Sequence, residues 1–103
     1  MKSLDDCFGS VVRLTDERLA HILEHPEMQG MTDELERVLL QPRLVRRSRS
    51  DPAVRMFYEY YEHTNMGGKW LCVVVKYEVD DAFIITAYLT DKPKDGENLW
   101  SAR

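Results

Sequence analysis

Two periodicities divide the chain. Between Leu14 and Leu40 the apolar positions recur every three or four residues; from Leu44 to Thr90 they alternate. In the first region Thr15 has the character of an N-cap, and Asp16 and Glu17 follow where a helix dipole favours anions. Leu19, Ile22 and Leu23 form the apolar stripe, and Pro26 predicts an end at or just before His25. Gly30 punctuates the connection. Thr32, Asp33 and Glu34 open a second helix in the same manner, its stripe is Leu35, Val38 and Leu39, and Pro42 stops it. Ahead of both, Val11-Val12-Arg13-Leu14 is a short apolar lead-in of strand character.

Beyond Pro42, Leu44-Val45-Arg46 begins a strand and Asp51-Pro52 marks a turn. Met56 to Glu62 is rich in aromatic strand formers, and Asn65-Met66-Gly67-Gly68 reads as a hairpin loop. Trp70 to Val79 and Ala82 to Thr90 are long strands about the tight turn Asp80-Asp81. The expected fold is α+β: two N-terminal helices packed on one face of an antiparallel meander of about four strands. It forms a single domain over residues 1–103, with irregular ends at 1–10 and 91–103. Alternation assigns Leu71, Val73, Val75, Tyr77 and Val79, with Phe83, Ile85, Ala87 and Leu89, to the covered face. The other face carries Trp70, Cys72, Val74, Lys76, Glu78, Ile84, Thr86, Tyr88 and Thr90, and its mixture of polar, aromatic and cationic groups makes it the place to look for chemistry.

With 103 residues, 44% hydrophobic and 31% charged, the chain supports one core. No run approaches the ~20 apolar residues of a bilayer span, and the start lacks a secretory layout. Two cysteines, Cys7 and Cys72, are too few for a disulfide scaffold or a four-ligand zinc site, so a reducing, cytoplasmic setting is expected. The net charge of −4 is unevenly spread: residues 1–41 carry −5, residues 42–76 carry +4, and residues 77–103 carry −3. An acidic whole with a basic middle argues against a general nucleic-acid coat and permits a local site for one or two phosphates. The same arginines also fit a solvated strand and loop.

Several segments in order carry a resemblance: Leu14-Thr15-Asp16-Glu17-Arg18 leading to His21-Ile22 and His25-Pro26-Glu27, then Pro42, a basic strand and Tyr58. Val73-Val74-Val75, Phe83-Ile84-Ile85-Thr86-Ala87-Tyr88 and Lys94-Asp95-Gly96-Glu97 complete it. This order, over roughly residues 11–100, resembles the phage-associated barnase/EndoU/colicin/RelE-like nucleases. The resemblance implies N-terminal helices plus an antiparallel meander, RNA cleavage without metal or other cofactor, and, for toxin members, an antitoxin partner.

Such cleavage needs the ribose 2′-OH to attack its own phosphate in line, a base, an acid, and a cation for the phosphorane charge. His21 and His25 are candidates for the proton roles, because imidazole titrates near neutrality. Arg46 and Lys76 are candidate phosphate clamps, and Tyr88 a relay or stacking group. Arg47, Arg49, Tyr58 and Thr86 are candidates for substrate binding. Each has a plainer reading: surface histidines, cross-strand aromatic packing and a solvated sheet face. At about 100° per residue, His21 lies nearly opposite the apolar stripe of its helix and His25 about 40° further round, on the outside of a covering helix. The pair shares an HxxxH spacing, but no third ligand lies near, so no metal site is expected. Gly67-Gly68-Lys69 lacks the context of a P-loop, and Cys72 has no histidine near it in sequence. The expectation is a metal-independent endoribonuclease binding RNA. Its rival is a non-catalytic module that binds protein or RNA on the open sheet.

Overall fold

The computed structural model describes residues 1–102. Its strands are β1 (Lys2–Asp5), β2 (Val11–Leu14), β3 (Leu44–Arg47), β4 (Val54–Thr64), β5 (Gly67–Glu78), β6 (Asp81–Thr90) and β7 (Glu97–Ser101). All seven join one sheet in the order β1-β2-β6-β5-β4-β3-β7. Every pairing is antiparallel except β2 with β6. Helices α1 (Asp16–Leu23) and α2 (Thr32–Leu40), with a 3-10 turn at Pro26–Met28 between them, connect β2 to β3. Strands hold 49% of the residues and helices 20%. The expected α+β arrangement of N-terminal helices on a four-strand meander is therefore wrong. This is a mixed, seven-stranded, mostly-sheet fold, and the helices are an insertion between strands.

The reason lies at the two ends. Lys2–Asp5 and Glu97–Ser101 are too short and too polar to show a period, yet both pair along sheet edges. Lys2 to Asp5 aligns with Leu14 to Val11, and Glu97 to Ser101 runs beside β3. Tertiary pairing overrides weak local preference there.

The helical region forms largely as expected. The Thr15 side chain accepts the Arg18 N–H and caps α1, whereas Thr32 lies inside α2 and Met31 takes the cap position without a side-chain bond. Ile22, Leu35, Val38 and Leu39 pack on Val45, Phe57, Leu71, Val73 and Val75 in the main core. Fully burying each such side chain contributes about 1.5–3 kcal/mol.

The assignment of faces needs one correction. The β5–β6 register shifts at Val74/Val75, so that Val74 faces Thr86 while Val75 faces Ile84. Ile85 is the extra residue of a bulge, which alternation cannot anticipate. Ile84 therefore joins the core, and Phe83 turns to the opposite face beside Lys76. Val79, at the turn, is 98% exposed.

A second, smaller cluster lies on the face away from the helices: Met56, Tyr58 and Cys72, flanked by Leu44, Trp70, Val74 and Tyr88. Successive antiparallel pairings make β7 run parallel to β6 at the far edge. The connection at residues 91–96 must therefore cross β5, β4 and β3 while returning lengthwise. It does so over this second cluster, forming a strap.

Candidate functional site

The strap-side face is built by registered rows. Arg46, Met56, Val74 and Thr86 make one row; Leu44, Tyr58, Cys72 and Tyr88 make the next. On the other side of the first row, Val54, Lys76, Phe83 and Arg13 stand together. Lys76 and Thr86 are diagonal neighbours, about 7–8 Å apart at Cα. Tyr88 lies two residues, about 7 Å, beyond Thr86. Lys76, Thr86 and Tyr88 thus form a continuous line on this face, and all three are partly exposed.

Each cation on the strands of this face already has a partner. Lys76 Nζ lies 3.3 Å from Asp51 Oδ2. The Ala53 N–H and then Lys76 hold the Asp51 carboxyl below its ordinary range. Arg13 grips Asp81 through Nε at 2.8 Å and Nη2 at 2.6 Å and lies over the Phe83 ring at 5.5 Å. Arg46 donates from Nη1 to the Lys94 carbonyl at 2.8 Å and from Nε to Asn98 Oδ1 at 3.3 Å. Burial, and then the neighbouring Cys72, push the Tyr88 phenol up, so it stays protonated at neutral pH. Cys72 is buried beneath, and desolvation pushes its thiol up to about 11, which makes it a poor nucleophile.

The remaining residues singled out in the sequence lie elsewhere. His21 and His25 belong to the helix layer, on the other side of the sheet. Both are exposed; His21 Nδ1 is 3.1 Å from Glu24 Oε2, and His25 Nδ1 is 3.9 Å from Glu27 Oε1. The imidazoles therefore do not meet Lys76, Thr86 and Tyr88, and the outward orientation given by helical periodicity is what the structure has. Arg47 alternates with Arg46, so it faces away from the strap, bonded to Glu97 Oε1 and the Pro52 carbonyl, both at 2.9 Å. With exposed Arg49 it borders a hollow of about 470 Å³ at the β3–β4 turn. Tyr58 is fully buried and holds the strap, so it presents no face to a base. Tyr61 donates to Glu34 Oε1 at 2.8 Å on the helix side. Tyr60 remains 40% exposed, edge-on to Trp70.

Arg13 was missed as a member of this face. Its signal was present: it stands between Val12 and Leu14, both buried, so alternation turns it outward. Among the described residues no three His, Cys, Asp or Glu side chains cluster as a metal site would need. Among the described residues no helix is long and apolar enough to cross a membrane. No protein-family model, curated protein or solved structure matches this chain.

Proposed function

We propose that the strap-side face binds RNA and that the protein is a metal-independent endoribonuclease working without imidazole. One observation carries this reading: Lys76 of β5 stands in line with Thr86 and Tyr88 of β6 on the strap-side face, all three partly exposed, with Arg46 on the same face. The motif order resembling the barnase/EndoU/colicin/RelE-like nucleases supports it, and the resemblance extends to an inhibitory partner that would cover this face. Two free thiols fit a cytoplasmic protein.

In this reading Lys76 and Thr86 hold the scissile phosphate, with Lys76 drawn partly from Asp51. The ribose 2′-oxygen attacks phosphorus, and its proton passes to the Asp51 carboxylate. The bond from phosphorus to the 5′-oxygen breaks, and Tyr88 protonates the leaving oxygen. The products are a 2′,3′-cyclic phosphate and a 5′-hydroxyl. A carboxylate held below its usual range is a weak base, so most of the acceleration comes from positioning and charge stabilisation.

The test is incubation of the purified protein with RNA in EDTA, with mapping of cyclic-phosphate ends. Lys76→Ala lowers the cleavage rate by roughly 10²-fold. The His21→Ala, His25→Ala double variant cleaves like the wild type. Activity lost in the histidine variant and kept in Lys76→Ala would overturn the assignment. A second reading is favoured by the place of His21 and His25 in the helix layer: a module that binds RNA on the strap side and does not cut it. Binding without cyclic-phosphate ends selects that reading.

A further inference from the structure

The strap is fastened at one residue from both sides. The Lys94 N–H donates to the Tyr58 hydroxyl at 3.1 Å, and the Lys94 carbonyl accepts from Arg46 Nη1 at 2.8 Å. Both anchors are themselves fixed. Tyr58 is buried, with its hydroxyl directed at Met56 Sδ 3.5 Å away, and Arg46 also donates to Asn98. Two residues further on, Gly96 passes so near β3 that an added Cβ would sit 2.2 Å from the Arg47 carbonyl oxygen. The backbone at Lys94 is therefore set by the sheet beneath it.

The Lys94 side chain is exposed and has no carboxylate partner among the described residues. The Lys94 backbone sits on the Tyr58 hydroxyl, and Tyr58 is the register partner of Cys72. Cys72 is in turn the register partner of Tyr88, so Lys94 stands at the row at which the line of Lys76, Thr86 and Tyr88 ends.

We infer that Lys94 binds a phosphodiester group of the substrate, and that Arg46 and Tyr58 are positioning residues that hold it over the sheet. This rests on the RNA reading above and gives Arg46 a different part from the direct clamp expected of it. Lys76 and Lys94 would then engage different phosphates of one single strand, with Thr86 and Tyr88 between them.

Fluorescence anisotropy with a labelled, uncleavable 2′-O-methyl oligoribonucleotide, in EDTA and across a salt series, tests this. Lys94→Ala weakens binding several-fold and lowers the slope of log affinity against log salt by about 0.7, the value for one phosphate contact on a single strand. Lys94→Arg restores the slope. Tyr58→Phe loses part of the same affinity, and the Tyr58→Phe, Lys94→Ala double variant binds no more weakly than Lys94→Ala alone, because the two act as one unit. Thermal melting of each variant separates loss of fold from loss of contact; Lys94→Ala, being exposed, melts with the wild type. Wild-type binding with an unchanged slope in Lys94→Ala overturns the inference alone. No binding by the wild type removes the RNA reading and this inference together.

Discussion

Lys76 and Arg13 are the residues on which the electrostatics of the strap-side face turn, and both are neutralised at rest. Arg13 with Asp81 is the tighter pair, joined by two hydrogen bonds that tie β2 to the start of β6. The hydrogen bond from Arg13 is the main cause of the lowered Asp81 pKa. The folded chain thus releases this proton more readily than the unfolded one. The resulting stabilisation is complete above the ordinary carboxyl value of 3.8 and is lost as pH falls through the lower folded value. Asp81→Asn should accordingly melt below the wild type at neutral pH, with the gap closing as pH drops below about 4. Melting curves over that range check it. A gap that persists in acid would show that the carboxylate charge is irrelevant to the pair. Both partners are more than a third exposed, so screening by solvent and salt keeps the effect small.

Among the elements, α1 and α2 were legible because apolar stripes and proline stops agreed, although only α1 has the threonine cap expected of both. The long strands were legible from alternation, and the site residues Thr86, Tyr88 and Lys76 followed from it. Two features were hidden for separate reasons. The Ile85 bulge adds a residue without changing composition, so Phe83 and Ile84 exchange faces with no local signal. The strap carries Pro93 and Gly96 and has no period; its course is dictated by β7, itself an edge strand of five residues. Gly96 shows why that segment tolerates little change. Gly96→Ala puts a methyl group against backbone of β3, and overpacking of that kind costs about 1–3 kcal/mol. Denaturant unfolding measures the loss. The same substitution should also release the strap and weaken RNA binding, whereas unaltered stability and binding would mean the crossing accommodates a side chain.

For the whole molecule, the sheet is a partition. Helices, main core and both candidate imidazoles occupy one side; the strap, a small aromatic cluster and the line Lys76-Thr86-Tyr88 occupy the other. The basic middle of the sequence does not become a single basic surface, because Arg46 and Arg47 alternate and point to opposite sides of β3. Adjacency in sequence therefore overstated the positive patch, while separation in sequence concealed the grouping of Arg13 with Lys76. The acidic net charge is compatible with the proposed local site, since carboxylates already pair Arg13 and Lys76 on this face.

The central claim is that RNA is received on the strap side of the sheet. Residue-resolved NMR of the labelled protein, titrated in EDTA with an uncleavable single-stranded oligoribonucleotide, tests it most directly. The account predicts saturable shifts at Lys76, Thr86, Tyr88 and Lys94, with α1 around His21 unmoved. Shifts centred on His21 and His25, or none anywhere on the sheet, would contradict it.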